Sequence, residues 1–287
     1  MVCSNVEGPD FICIGMPKAG TGWLFDQLQC HSDFWMPPLK GLHYLDSEIP
    51  KMKHAQLRLE RSRTGSGRRR KMEARDYAFL EEAARSGGAA RDMERYIALF
   101  RFKGNLLSGD ITAPYASLKE DQIRNVATHL PNVKIVLLVR DPIARVWSNI
   151  SMAYREGRFD AALLSDPDAF RDHIANSEML LERSFPTKIV DRWRRCAPDV
   201  QFRWFLFDDI VEEPDKARRE IILYLGADPS KKSGELGAEH NRKGGTEKLE
   251  LTPEIETILA DHFADEIRRC ADLFGGAARN WSARHNL

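Results

Sequence analysis

Phe11-Ile12-Cys13-Ile14-Gly15-Met16-Pro17-Lys18-Ala19-Gly20-Thr21-Gly22-Trp23-Leu24 joins an apolar run to a glycine-rich loop. Four apolar residues run into a loop carrying three glycines, a lysine and a threonine, and a helical pattern follows with Leu24 and Leu28 one turn apart. A buried strand, a Gly-rich turn and a helix start make an anion-binding unit. Glycine reaches the positive φ angles that let successive N–H groups converge, and the helix N-terminus adds its partial positive charge. Lys18 supplies a mobile point charge. The expectation is a nucleotide-binding enzyme of the α/β class.

The details narrow the ligand. A nucleoside-triphosphatase loop reads G-x-x-x-x-G-K-[ST]. Gly15 and Gly20 keep its glycine spacing, but Thr21 stands where the lysine belongs and Lys18 lies inside the loop. A G-x-G-x-x-G dinucleotide fingerprint is absent. An ordinary Gly-rich turn between strand and helix remains open from this stretch alone.

Val133-Lys134-Ile135-Val136-Leu137-Leu138-Val139-Arg140-Asp141-Pro142 is a second near-continuous apolar run, suited to a central parallel strand covered on both faces. Arg140 falls at its C-terminal end, where open α/β sheets bind ligands. Asp141 fits an N-cap and Pro142 a first helical position. The next helix carries Ile143, Val146, Trp147, Ile150 and Tyr154 on one stripe, with Ser148 able to turn back towards the strand end. Arg140 with a nearby hydroxyl makes a second phosphate site, since a guanidinium grips phosphate through two donors. An Arg–Asp surface pair at a helix start is the bland alternative.

Between the two stretches, Pro37 and Pro38 force an extended path that leads to His43. Ser108 to Tyr115 reads as a turn-forming segment carrying Asp110 and Tyr115. Arg58 to Lys71 is a basic, Gly/Ser-broken tract, expected to be a solvated mobile insertion, with a rim that attracts an anion as the other reading. Tyr77–Phe100 reads as mainly helical. Further helical patterns cover Asp168–Leu181, Thr187–Cys196 and Asp215–Leu225, and Phe202–Phe207 reads as a strand. Asn241 to Thr246 is a basic loop. Thr252 caps a last helix whose apolar face runs from Ile255 to Phe274. Strands alternating with helices predict one domain over residues 1–287, a central parallel sheet with helices on both faces.

Composition sets the outer limits. The 287 residues are 43% hydrophobic and 30% charged, with 43 basic and 43 acidic side chains, which fits a globular enzyme and argues against a dedicated nucleic-acid binder. No apolar run reaches transmembrane length, and Met1–Asp10 lacks a secretory pattern, so a cytoplasmic location is expected. Five widely spaced cysteines form neither a zinc spacing nor a disulfide framework.

Taken together, these segments resemble the sulfotransferases that use 3′-phosphoadenosine-5′-phosphosulfate (PAPS). Met16-Pro17-Lys18-Ala19-Gly20-Thr21-Gly22-Trp23-Leu24 is similar to the family's 5′-phosphosulfate loop, P-K-[SAG]-G-T-[ST]-x-L. Arg140-Asp141-Pro142-Ile143-Ala144-Arg145-Val146-Trp147-Ser148 is similar to its 3′-phosphate motif, R-[DN]-P-x-x-R-x-x-S. Trp204–Gly226 resembles a strand and helix of the family, and Arg242-Lys243-Gly244 its cofactor-covering loop. Within the family the chain looks closest to the branch of bacterial and heparan-type glycan sulfotransferases. Lys40-Gly41-Leu42-His43-Tyr44-Leu45 stands for that branch's K-E-x-H-[FY]-F, and Gly109-Asp110-Ile111-Thr112-Ala113-Pro114-Tyr115 for its G-[ED]-x-[ST]-P-x-Y. Gly41 replaces the glutamate base.

The resemblance implies transfer of the sulfo group of PAPS to a hydroxyl of a glycan, glycolipid or small natural product, with no metal required. Lys18 would stabilise the leaving group. Ala19, Gly20, Thr21, Gly22 and Trp23 would hold the 5′-phosphate. Arg140, Ser148, Arg242, Lys243 and Gly244 would hold the 3′-phosphate. His43 is the expected base, with Asp110 in reserve. The alternatives are a P-loop kinase-like phosphotransferase and a non-catalytic PAPS-binding homologue, the latter kept open by Gly41.

Overall fold

The computed structural model describes residues 8–63, 72–231, 236–239 and 249–287. Strand β1 (Phe11–Gly15) is buried along its whole length, as its unbroken apolar run requires. Helix α1 (Thr21–Gln29) follows the glycine loop and buries Leu24, Phe25 and Leu28. Helices α2 (Lys53–Arg63), α3 (Ala74–Ser86) and α4 (Met93–Ala98) come next, α2 packing on α3. Then follow β2 (Gly109–Ile111), α5 (Glu120–His129), β3 (Lys134–Val139) and α6 (Pro142–Arg155). The chain continues through α7 (Pro167–Asn176), α8 (Glu178–Glu182), α9 (Pro186–Cys196), β4 (Gln201–Leu206), α10 (Phe207–Glu212) and α11 (Pro214–Leu225). It closes with α12 (Pro253–Phe274) and α13 (Trp281–Arg284).

Among the described residues, four strands form one parallel sheet in the order β2-β1-β3-β4. Between β1 and β3 the winding reverses, since the chain leaves β1 for β2 on one side and later returns to β3 on the other. That crevice, at the carboxyl ends of the strands, is where open α/β sheets bind ligands. Both sequence motifs open onto it. The β1–β3 register slips between Cys13 and Gly15, after which the Met16 N–H donates to the Leu138 carbonyl at 2.8 Å. The irregularity sits where β1 hands over to the loop. Helix α12 packs against α6, α7 and α9, so it backs the helix of the second motif. No helix among the described residues is long and apolar enough to cross a membrane.

The fold is the expected single α/β domain with a central parallel sheet flanked by helices. Several local expectations are corrected. Residues 109–111 form an edge strand inside the segment expected to turn. It is only three residues long, and Gly109 is there for space: a Cβ at that position would stand 2.5 Å from the Phe11 ring. Phe207, expected to end a strand, instead opens α10. Tyr154 is exposed rather than part of the buried stripe of α6. Of the basic tract, residues 58–63 belong to α2, and residues 64–71 lie outside the described residues.

Gly109→Ala should therefore drive its methyl into Phe11 and cost about 1–3 kcal/mol, as overpacked sites do. Urea titration checks this, and the double variant with Phe11→Leu should recover part of the loss; unchanged stability of Gly109→Ala would contradict the packing.

Candidate phosphate-binding and active site

The first motif builds a cradle without a cap. Gly20 occupies the N-cap of α1 with φ 91°, and no side chain caps the helix. By contrast Asp141 caps α6, accepting from Ile143 N–H at 2.9 Å and Ala144 N–H at 3.4 Å. Thr252 caps α12 in the same manner. The first-turn donors of α1 are thus left for an anion, with the helix dipole behind them. Glycine is needed at position 20 twice over, for its positive φ and because a Cβ would lie 3.1 Å from the Phe207 ring. At Gly22 a Cβ would meet no atom within 4 Å, so the first turn borders open space. Thr21 is buried, and its hydroxyl accepts from Lys40 Nζ at 3.3 Å. A cradle of N–H groups with Lys18 and Lys40 beside it is the donor set a phosphate requires.

The second motif locks onto the first. Arg140 extends from the end of β3 and donates through Nη1 to the Lys18 carbonyl at 2.8 Å. Its guanidinium also stacks on Phe207 at 4.6 Å. Burial weakens the charge of Arg140, and the Asp141 and Asp208 carboxylates oppose that loss. Lys18 itself reaches α6, its Nζ lying 3.6 Å from Met152 Sδ. Ser148 is one turn earlier on the same helix, hence on the face of α6 that carries Met152. The structure thus brings Lys18, residues 19–23, Arg140 and the Ser148 face of α6 to one end of the sheet.

The acid–base candidates separate into two kinds of environment. Asp110, on β2, is 1% exposed and accepts from Thr112 Oγ1 at 2.6 Å, Tyr115 OH at 2.9 Å and Tyr96 OH at 3.1 Å. Burial raises its pKa against the pull of those three hydroxyls. The same hydroxyls reach onward. Thr112 Oγ1 accepts from Leu42 N–H at 2.9 Å, and Tyr115 OH from Tyr44 and Leu45 N–H at 3.0 and 3.2 Å. Asp110 therefore anchors the backbone on either side of His43 and is itself walled off from a substrate.

His43 is the opposite case. Its side chain is 46% exposed, and Nδ1 lies 2.9 Å from Asp46 Oδ2. The Asp46 hydrogen bond raises its pKa, partly offset by burial. With the Nδ1 proton held by Asp46, Nε2 is the free nitrogen. A Cβ built on Gly41 would lie 3.7 Å from His43 Nε2 and Cδ2. The imidazole edge thus overhangs the position from which a glutamate would project. Gly41 itself has φ +80°, a backbone shape that disfavours glutamate.

The model of the sulfotransferase family matches residues 9–230, most of the chain. The chain belongs to the sulfotransferase family. A search of curated proteins gave no significant match. The sulfotransferase from Alicyclobacillus acidocaldarius superposes with a TM-score of 0.64 at 19% identity, covering 95% of this chain and 98% of that one. The sulfotransferase domain from the curacin biosynthetic pathway gives a TM-score of 0.50 at 16% identity, covering 91% and 99%. At such identities the likeness concerns the fold.

Three residues of the candidate site, Phe207, Lys40 and Asp46, were missed by sequence reasoning. Phe207 supplies the stacking surface for Arg140; its place as the last residue of an expected strand, at the ligand-binding end of the sheet, was the available signal. Lys40, bonded to Thr21, stood in plain view in the Lys40-Gly41-Leu42-His43 segment. Arg242, Lys243 and Gly244 lie outside the described residues. Described residues close to them on either side are tied to the two motif helices: Trp23 Nε1 donates to the Ala238 carbonyl and Trp147 Nε1 to the Leu249 carbonyl. Cys13 is wholly buried, its thiol pushed up to about 12 by burial, as a core residue's would be.

If Tyr115 OH holds the His43 segment, Tyr115→Phe should cost about 1–3 kcal/mol by leaving Asp110 and two N–H groups short of a partner. Native-state hydrogen exchange should show faster exchange at the Tyr44 and Leu45 amides; unchanged protection there would contradict the arrangement.

Proposed function

We propose that this sulfotransferase takes PAPS as donor and transfers its sulfo group to a hydroxyl acceptor, with His43 as the base. One observation carries the reading: Arg140 donates to the Lys18 backbone, so the two motifs form one site with two separated groups of anion donors. A donor bearing phosphates at both 5′ and 3′ positions matches that pair, whereas a nucleoside triphosphate has no use for the second. The residues fit such a donor. The uncapped first turn of α1 and Lys18 suit the 5′-phosphosulfate, and Arg140 with Ser148 suits the 3′-phosphate.

In this reaction the acceptor oxygen forms a bond to sulfur, the bond from sulfur to the bridging phosphate oxygen breaks, and adenosine 3′,5′-bisphosphate leaves. Lys18 neutralises the charge that gathers on the bridging oxygen. Nε2 of His43 takes the acceptor proton while Asp46 stabilises the imidazolium that results. Asp110 keeps the loop carrying His43 in register rather than taking the proton. An acceptor on a glycan, glycolipid or small natural product presents the same hydroxyl chemistry.

Incubation with PAPS and a panel of sugar, phenol and alkyl alcohols, followed by mass spectrometry, should show a sulfated product together with the bisphosphate. His43→Ala should lose about 10²–10⁴-fold in rate, the usual contribution of a general base. Phosphoryl transfer from ATP with Mg²⁺ to the same panel would overturn the reading. The pH profile supplies a second test. His43 must be neutral to act, so the rate rises as pH passes through its raised pKa. Asp46→Asn removes the main cause of that rise and should move the acid limb down towards the ordinary histidine value, about 6.5. An acid limb at the same pH in both proteins would remove His43 from the role.

A further inference from the structure

Strands β3 and β4 pair in register up to Val139 opposite Leu206. The residues just beyond keep the same partnership. Arg140 stacks on Phe207, and Asp141 and Asp208 meet at a single cation. That cation is Arg284, in the last turn of the chain. Its Nη2 lies 2.7 Å from Asp208 Oδ1 and its Nη1 3.4 Å from Asp141 Oδ2. His285 completes the set. Its Nε2 lies 2.6 Å from Asp141 Oδ2 and its Nδ1 2.8 Å from Glu256 Oε1 on α12. Trp281, wholly buried, docks this C-terminal turn.

The arrangement is more than a surface ion pair. Asp141 is 1% and Asp208 9% exposed along their side chains, so two nearly buried carboxylates are brought together at the end of adjacent strands. Without a cation between them each would raise the cost of the other's charge. His285 stands between two carboxylates, and hydrogen bonding both requires a proton on each ring nitrogen. Burial works against that charge, but Asp141 and Glu256 outweigh it and raise the histidine's pKa. The charged groups around this knot are Asp141 and Arg140 after β3, Asp208 on α10, Glu256 on α12 and Arg284 on α13. The stretch matched by the family model ends at residue 230, so Glu256, Arg284 and His285 are supplied by the chain beyond it.

We infer that Arg284 and His285 are positioning residues for the 3′-phosphate: by clamping Asp141 and Asp208 they hold Arg140 against Phe207 and the Lys18 carbonyl. The inference rests on the reading that Arg140 binds that phosphate. Arg284 and His285 themselves touch the carboxylates and not the donor.

The test compares calorimetric affinities for adenosine 3′,5′-bisphosphate and adenosine 5′-phosphate in the full chain. Arg284→Ala and His285→Ala should each weaken the bisphosphate about tenfold, within the range that changes in a contacting network produce. Adenosine 5′-phosphate should be held within about twofold, because the α1 cradle is untouched. Asp208→Asn approaches the same clamp from α10, leaves the C-terminal turn intact, and should show the same selective loss; it carries the test if an Arg284 variant fails to fold. A loss confined to Arg284 variants, with His285→Ala and Asp208→Asn unchanged, would make Arg284 a direct ligand and overturn the clamp. Equal losses for both nucleotides, or no loss, would overturn it too. A wild-type protein that does not distinguish the two nucleotides would instead sink the underlying assignment of Arg140.

Discussion

The hydrogen bond from Arg140 to the Lys18 carbonyl is the constraint on which the rest of the site depends. It joins the end of β3 to the loop after β1 across the point where the sheet reverses its winding. A guanidinium that spends one nitrogen on a backbone carbonyl ties the loop to the strand end and still carries further N–H donors. Everything nearby supports that posture. Phe207 gives Arg140 a face to stack on, and Gly20 is small enough to let Phe207 approach. Asp141 caps α6 with one oxygen and meets the C-terminal turn with the other.

The second constraint is the Asp110 hub. A buried carboxylate costs several kcal/mol unless its oxygens are satisfied. Here three hydroxyls satisfy it, and two of them pass the restraint on to the backbone of residues 42–45. The result is a rigid platform beneath an exposed histidine. Exposure suits a group that must exchange protons, whereas burial suits one that must not move. That difference separates His43 from Asp110 more clearly than any motif does.

Much of this was legible in the sequence. Periodicity gave β1, β3 and the helices α6, α9, α11 and α12, because long apolar patterns in strands buried on both faces and in amphipathic helices leave little choice. Asp141 and Thr252 were legible as caps, since short polar side chains before an apolar helix have one common use. The edge strand β2 was not, because three residues with a glycine and an aspartate carry a turn's composition, and only the Phe11 ring explains the glycine. Phe207 was misassigned because the apolar pattern of β4 runs into α10 without a break. The hub at Asp110 and the C-terminal clamp depend on contacts between residues far apart in the chain, which no local pattern encodes. The replacement of a glutamate by Gly41 looked like a loss in the sequence. In the structure it accompanies a positive φ and an imidazole overhanging the vacated position.

The proposed activity requires the two motifs to form a single site for a nucleotide phosphorylated at both 5′ and 3′ positions. The most direct measurement is calorimetric titration of the wild type and Arg140→Ala with adenosine 3′,5′-bisphosphate, and separately with ATP and Mg²⁺. Tight binding of the bisphosphate, its loss in the variant, and no comparable binding of ATP are expected. Binding of ATP in preference to the bisphosphate, or bisphosphate binding indifferent to Arg140, would contradict it.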